Sequence, residues 1–549
     1  MAKLAIAMDV GTSGLRAQAI DLSSGEIIST AITTRHPLPG ANVMDHLHFA
    51  LELGVATANG ILIEAINRVI AGLRVQADQV ERFAVCGNPI QLSLFQGIEI
   101  RDLAYAGTRK LTLLGVVPPK REAAVVAAAT IPGLNLPGRC EVVIPPAVRH
   151  EVGADALAMM IQTGMLEKEE TSLATDFGTN AEVALFHEGR VITGSTAAGP
   201  ALEGQQISCG MLAVPGAISD LEPEPPHHRL VLLNAGMLPV RGALVDLGKK
   251  GIIGDGERPR PLGITGTGVI AVIDRGIETG LIALPHIRTA DARLHLGEDI
   301  FLDGEDLAEA GKAFGAVRAG HITLCREAGI APGDIRTAYM SGASGTYVDA
   351  LKAQKLGLIP PGVKTVYQVG NTSLAMARDL ATAPETLDVM ARLAGKLQKS
   401  HCMFAASKTF QKVYILELAY WTEGMPMSEY RRFLKKYGMP DLLPVQGAPN
   451  VIRTVQRDID DLGSMGLVTI TDIGRVAAMV VAGCISCRSC IGECPGKALS
   501  MVAGAEAGTI ALDESLCNGV ACRRCERVCP VKVFDLNRFF NQEPKAQRT

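Results

Sequence analysis

Residues 3 to 32, KLAIAMDVGTSGLRAQAIDLSSGEIISTAI, open with the apolar run Leu4 to Met8, reach Asp9, and turn at Gly11-Thr12-Ser13-Gly14. Short strand-forming runs separated by Gly- and Ser-rich punctuation predict a strand, a tight turn, a strand, a Ser-Ser-Gly turn and a third strand. Residues 172 to 193, SLATDFGTNAEVALFHEGRVIT, repeat that order: strand SLATDF, turn Gly178-Thr179-Asn180, strand EVALF, a His-Glu-Gly turn, strand. An internal repeat is read before any single residue is interpreted, because it sets the architecture. Asp9-Val10-Gly11-Thr12-Ser13 and Asp176-Phe177-Gly178-Thr179-Asn180 therefore occupy equivalent hairpins.

Each motif ends a buried strand on a carboxylate and follows it with a turn whose successive backbone N–H groups can form an anion nest. Two such hairpins facing one another would clasp a polyphosphate. Asp9 and Asp176 are then the candidate catalytic carboxylates, holding a hydrated Mg²⁺, which prefers one or two carboxylates plus water and phosphate oxygens. An isolated D-x-G-T hairpin is as readily an ordinary β-turn; the pairing at the head of two similar modules carries the phosphate reading. A third piece, Tyr339-Met340-Ser341-Gly342-Ala343-Ser344-Gly345, has small residues between a strand and a helix, where a flat adenine ring can approach the backbone. Ile264 to Ala271 also fits a loose G-x-G-x-x-A dinucleotide fingerprint through Gly266 and Gly268, but lacks a βαβ unit of its own and is grouped with the nucleotide half.

The chain has 549 residues, 48% hydrophobic and 20% charged, with 58 glycines and a formal net charge of −4. That length predicts three to four domains, and that charge excludes a polybasic nucleic-acid binder. No apolar run approaches the roughly 20 residues of a membrane span, the longest candidate being Val476 to Gly483. Asp9 and its Gly-rich turn fit a buried strand better than a signal peptide, so the expectation is a cytoplasmic protein with neither membrane nor nucleic-acid partner. Of 13 cysteines, five (Cys86, Cys140, Cys209, Cys325, Cys402) are scattered and read as small buried hydrophobes in a reducing compartment.

The other eight form two runs: Cys484-x2-Cys487-x2-Cys490-x3-Cys494-Pro495 and Cys517-x4-Cys522-x2-Cys525-x3-Cys529-Pro530. This is the bacterial ferredoxin signature given twice, in which three thiolates of a run close on one cubane and the fourth, before proline, crosses to the other. On that rule one [4Fe-4S] cluster takes Cys484, Cys487, Cys490 and Cys529, and the second takes Cys494, Cys517, Cys522 and Cys525. The x4 spacing after Cys517 lengthens one loop of the second site. A pair of zinc sites and a disulfide-rich tail are the competing interpretations; a doubled pattern with a crossing fourth ligand has no zinc rationale.

The three-part order of two phosphate hairpins and a late Gly-rich turn resembles the actin/Hsp70/acetate-sugar kinase (ASKHA) superfamily. It implies a two-lobed α/β ATPase fold, here with a small C-terminal bacterial-ferredoxin-like α+β domain. More specific are Ser195 to Met211 (with Gly199-Pro200-Ala201-Leu202-Glu203-Gly204), Gly216-Ala217-Ile218, Val85-Cys86-Gly87-Asn88, Ile264 to Gly268, and Gly370 to Ala375. These resemble the ATPase of the reductive activators of corrinoid proteins, across roughly residues 1 to 385. In most bacterial members a [2Fe-2S] domain precedes that ATPase. The C-terminal pair of ferredoxin runs, together with Asn42 to Phe49, instead resembles the activators that serve methylamine methyltransferases of methanogens and some acetogens.

The resemblance implies an iron-sulfur oxidoreductase with ATPase activity, reducing the inactive Co(II) of a methyltransferase corrinoid protein to Co(I) with electrons from a low-potential donor. Each 59 mV of one-electron mismatch is about 1.4 kcal/mol, so lifting an electron a few hundred millivolts takes roughly 5 to 7 kcal/mol and gives ATP a reason to be present. The expected organisation is ATPase lobe I over 1–160, lobe II over 161–385, a structured connector over 386–480 and the two-cluster domain over 481–549. Glu203 is a candidate for orienting the attacking water, with a capping role as the alternative. His46 and His48 are candidates for contacting the corrinoid, a structural role being the plainer reading. Rival functions are a small-molecule kinase carrying a redox-sensing ferredoxin domain and a nucleotide-gated electron carrier. The oligomeric state stays open, a homodimer included.

Overall fold

The computed structural model describes residues 3–541 except 41, 106, 149–151, 179, 197–199, 205, 255–258, 398–399, 443 and 446. The chain forms two compact units: Met1–Pro145 with Ala377–Pro384 and Leu462–Thr549, and Pro146–Met376 with Glu385–Asp461.

In the first unit, strands Leu4–Val10, Leu15–Asp21 and Ile27–Thr33 form consecutive antiparallel hairpins, as the turn spacing predicts. Leu4–Val10 lies parallel to Val80–Gly87, which lies parallel to Glu141–Ile144, and two edge strands, Leu467–Ile470 and Ala124–Ala127, complete seven. Leu4–Val10 is buried along its whole length, the continuous apolar reading of a central strand covered on both faces. Helix Pro89–Gln96 starts at Asn88, whose side-chain oxygen accepts from the N–H groups of Ile90 and Gln91.

The second unit repeats the plan. Ser172–Phe177, Ala181–His187 and Arg190–Thr196 are antiparallel neighbours, and Ser172–Phe177 lies parallel to Thr337–Ser341, followed outward by Thr365–Gln368 and Asn450–Arg453. A smaller four-stranded sheet runs Pro239–Val245, His227–Leu233, Ala217–Glu224 and Gly263–Ile264. Helix Gly304–Ala328 opens on an Asp303/Asp306 capping box and closes on Gly329 at φ 76°. It packs closely against helix Lys408–Glu423, because Gly311 and Gly315 leave room for Trp421 and Glu417; a Cβ on them would come within 2.7 and 2.6 Å of those side chains. Helix Met427–Lys436, which carries Arg431, Arg432, Lys435 and Lys436, packs beside them, its Arg431 and Arg432 paired at the surface with Asp441 and Glu429.

The expected connector 386–480 is thus divided: its helices and Asn450–Arg453 complete the second unit, while Leu467–Ile470 adds an edge to the first unit's sheet. Its last strand, Val476–Val480, belongs to the three-stranded sheet of the cysteine-rich module, with Thr509–Asp513 and Leu499–Met501. That module is part of the first unit. Gly40 N–H donates to Cys517 O at 2.9 Å, Phe540 meets Phe49 edge-on with centroids 5.0 Å apart, Arg523 and Asn537 both bond Glu52, and Arg475 pairs with Glu64 at 2.6 Å. Among the described residues no helix is long and apolar enough to cross a membrane.

Candidate functional site

Asp9 is 6% exposed and faces Arg16 across the first hairpin, with Arg16 Nη1 3.6 Å from its carboxylate. Gly11 follows where a Cβ would sit 2.9 Å from Gly14 O, so the turn requires glycine. Asn88 Nδ2 donates to Thr12 Oγ1 at 2.9 Å, tying the turn to the helix that Asn88 caps, and Ser13 is buried beneath. On the parallel neighbour, Asp9 pairs with Cys86 and Val10 with Gly87, where a Cβ would meet Val10 O at 2.5 Å.

The second hairpin has the same register with different chemistry. Asp176 lies opposite Glu182, and on its parallel side opposite Ser341. Gly342 follows at φ 78°, where a Cβ would meet Asp176 Oδ1 at 2.7 Å. Gly178 N–H donates to Asn180 O at 3.2 Å, closing the turn; Thr179 lies outside the described residues. Burial first, then the nearby Asp155 and Asp176 carboxylates, push the Glu182 carboxyl well above the usual range, against a hydrogen bond from Ser195 Oγ at 3.3 Å. Among the buried hydroxyls of this unit without a hydrogen-bond partner are Ser341 Oγ and Thr372 Oγ1, with Ser172 Oγ and Tyr339 OH. Such groups cost about 1–3 kcal/mol unless a ligand or water satisfies them.

The late Gly-rich turn divides its duties. Ser344 Oγ donates to Leu202 O, and Gly345 packs on the Met340 backbone, where a Cβ would be 2.9 Å from its carbonyl carbon. Gly266 and Gly268 begin helix Gly266–Glu278 under a Thr265 cap; a Cβ on them would strike Leu202 O at 1.9 Å and Ile218 O at 2.5 Å. Close packing of that helix accounts for both glycines. Glu203 ends a short 3₁₀ turn, Pro200–Glu203, and its side chain lies outside the described atoms.

His46 is wholly buried: it stacks on His36 at 4.2 Å and bonds Gln91 at 2.7 Å, and burial pushes its pKa down to about 3. It is therefore a neutral core imidazole, whereas His48 is exposed on the same helix, Val43–Leu53.

In the cysteine-rich module, Cys484, Cys487, Cys490 and Cys529 line one cavity together with apolar side chains such as Ile510 and Phe534. Cys517 and Cys525 form a second group with Cys494 and Cys522: burial first, then those neighbouring sulfurs among other groups, pushes both thiols up to about 12. Cys487 moves the other way, held down by Ser489 hydrogen bonds. Backbone N–H groups also point at sulfur, from Ser486 to Cys484 at 3.4 Å and from Ala498 to Cys494 at 3.3 Å. The two runs share their local backbone: Arg488 and Arg523 precede short helices at φ 62° and 42°, and Lys497 and Lys532 follow each Cys-Pro at φ 52°. Among the described residues no three His, Cys, Asp or Glu side chains gather tightly enough to share a single metal ion. Four thiols around a common cavity suit the four sulfur ligands of a cubane.

Sequence reading missed Arg16 and Glu182. The signal was available in hairpin register, since each stands directly across from an aspartate that the motif had identified.

Residues 4–168 match the RACo middle region, 170–431 the C-terminal domain of RACo, the ASKHA domain, and 483–533 a 4Fe-4S dicluster domain. The chain is 48% identical over 497 residues, 90% of its length and 92% of the relative's, to the "[Co(II) methylated amine-specific corrinoid protein] reductase" of Methanosarcina barkeri. It is 25% identical over 395 residues to the "Corrinoid activation enzyme RamQ" of Eubacterium limosum, spanning 65% of this chain and 60% of that one. A solved "Reductive activator for corrinoid,iron-sulfur protein" superposes with TM-score 0.63 at 22% identity, over 76% of this chain and 66% of the other, and shares the fold.

Proposed function

Because the chain belongs to the family of reductive activators of corrinoid proteins, we propose that it reduces the Co(II) state of a methylamine-type corrinoid protein to Co(I) at the expense of ATP. The observation that carries this reading is the presence, in one polypeptide, of two register-matched aspartate hairpins and two four-cysteine groups.

The residues fit a nucleotide. The turn after Asp9 would offer the N–H groups of Gly11, Thr12 and Ser13 to phosphate oxygens, and the turn after Asp176 that of Asn180. Asp176 and Glu182 would be the residues to hold a hydrated Mg²⁺ through carboxylate oxygens. Asp9, fixed by Arg16, orients water next to the phosphates. The unpartnered hydroxyls of Ser341 and Thr372, with the Gly342 turn, support nucleotide contact in the second unit. Ser344, Gly345, Gly266 and Gly268 act beneath this surface by close packing.

The thiols fit iron-sulfur clusters: Cys484, Cys487, Cys490 and Cys529 for one, Cys494, Cys517, Cys522 and Cys525 for the other. Bound [4Fe-4S] clusters supply single-electron transfer. The chain's own part is to keep most of these sulfurs at least partly out of water and to aim N–H donors at them, which tunes potential. One electron from a low-potential donor converts Co(II) to Co(I), while ATP and water give ADP and phosphate.

Anaerobic mixing of the purified protein with ATP, a strong chemical reductant and a Co(II) corrinoid protein tests the proposal. Growth of the Co(I) absorption band only when ATP is present supports it; equal growth without nucleotide overturns it.

A further inference from the structure

Three buried polar side chains of the first unit take no part in the chemistry described so far. His36, His46 and Gln91 are 5%, 0% and 0% exposed. Gln91 Nε2 donates to His46 Nδ1 at 2.7 Å, which puts the proton of that neutral ring on Nε2. Leu38 N–H donates to His36 Nδ1 at 3.1 Å, and the two rings stack with centroids 4.2 Å apart. Both Nε2 atoms and Gln91 Oε1 are left without a partner. Buried polar groups in this state are costly and call for a reason.

The cluster has two arrangements of equal bond count. Turning the Gln91 amide end for end and moving the His46 proton to Nδ1 makes Oε1 the acceptor of the same contact. An element with two discrete arrangements is what carries energetic coupling between sites; a fully bonded core has only one.

One end of the cluster is tied to the nucleotide turn. Asn88 Oδ1 accepts from Gln91 N–H at 3.0 Å, and Asn88 Nδ2 donates to Thr12 Oγ1 at 2.9 Å. The Thr12 hydroxyl, accepting there, keeps its own proton to donate to a phosphate oxygen. The other end is tied to the second cysteine run. His36 begins the buried stretch His36-Pro37-Leu38-Pro39, stiffened by two fixed proline φ angles. Next to it, Gly40 N–H donates to Cys517 O at 2.9 Å, and a Cβ on Gly519 would lie 3.4 Å from Pro39 O. His46 lies on helix Val43–Leu53, whose Glu52 bonds Arg523, between Cys522 and Cys525. All of these residues belong to the first unit.

We propose that Gln91 is a positioning residue that links occupancy of the Asp9 turn to the second cluster site, that of Cys494, Cys517, Cys522 and Cys525. Phosphate on Thr12 moves Asn88, and Asn88 selects one of the two Gln91–His46 arrangements. The His36 loop and helix Val43–Leu53 then reset the backbone that carries Cys517 and Arg523. The inference rests on the proposed nucleotide and cluster sites and adds that they communicate inside one unit. Such coupling is reciprocal, so nucleotide must bind the oxidised and reduced protein unequally.

Anaerobic redox titration of the iron-loaded full chain, followed by the EPR signals of the reduced clusters with and without MgATP, tests this. In the wild type, MgATP should move at least one of the two reduction waves. The expected size is a tenfold difference in nucleotide affinity between redox states, or about 59 mV. Gln91→Met, which keeps the volume and the helix but removes the amide, should hold both waves still, with nucleotide binding and iron content at wild-type levels. His36→Leu should do the same and supplies the reading if Gln91→Met does not fold. Gln96→Met, further along the same helix, where the amide bonds Leu92 O, should keep the whole shift. A full shift in either folded cluster variant, or its loss in Gln96→Met, overturns the proposal. So do waves that ignore MgATP in a wild type that still forms Co(I) only with ATP, a result that would leave the proposed function standing.

Discussion

The two aspartate hairpins share strand order, turn position and a glycine at the end of the neighbouring parallel strand or just past it, yet the residue facing each aspartate is an arginine in one and a glutamate in the other. Arg16 stands 3.6 Å from Asp9, which places a guanidinium directly beside that carboxylate. Glu182, across from Asp176, is buried beside like charges, and burial first, then those carboxylates, push its carboxyl well above the usual range. One topology thus places a cation beside one aspartate and a second carboxylate beside the other. The duplication supplies the scaffold, and a single cross-strand position differentiates the chemistry.

The largest effect expected from this contrast is on turnover. Asp176→Asn should lower ATP hydrolysis by about a hundred- to a thousandfold with iron content unchanged, the range for losing a group that stabilises transferring charge; steady-state phosphate release with iron analysis measures it. Next comes the pH dependence of stability without nucleotide. Because the folded-state pKa of Glu182 is raised, its contribution is complete below the ordinary glutamate range and is lost as pH rises through the folded value. Melting of the wild type should therefore fall across that window with a slope of up to about 1.4 kcal/mol per pH unit, and Glu182→Gln should flatten it. Arg16→Gln should act more mildly, raising KM for MgATP by about tenfold with kcat nearly unchanged, because Asp9 remains but is no longer held. Smallest is Asn88→Ala, which removes a helix cap and the Thr12 link and should cost about 1 kcal/mol in denaturant unfolding. If Arg16→Gln and Glu182→Gln gave identical pH and KM signatures, the two halves would be chemically equivalent and the distinction drawn here would fail.

Much of this was legible in the chain because it is written in local patterns. The hairpins follow from alternation of β-forming runs with Gly and Ser turns, and all six strands of the two repeats formed as those turns dictate. The cysteine runs state their own grouping through spacing, and the cavity shared by Cys484, Cys487, Cys490 and Cys529 brings together residues 45 positions apart. What stayed hidden depends on long-range packing. Nothing near His46 announces that His36 and Gln91 will enclose it, and Gly266 and Gly268 look like a nucleotide fingerprint until Leu202 and Ile218 are seen pressed against them. The segment 386–480 carries no motif, since its role is to supply helices and edge strands to sheets begun hundreds of residues earlier.

The central claim is that nucleotide chemistry at the aspartate hairpins drives reduction through the cysteine-rich module. Its most direct test compares wild type and Asp176→Asn, matched for iron, in anaerobic Co(I) formation with ATP and excess reductant. The account predicts a Co(I) band for the wild type and essentially none for the variant. A fully iron-loaded Asp176→Asn protein that forms Co(I) at the wild-type rate would contradict it.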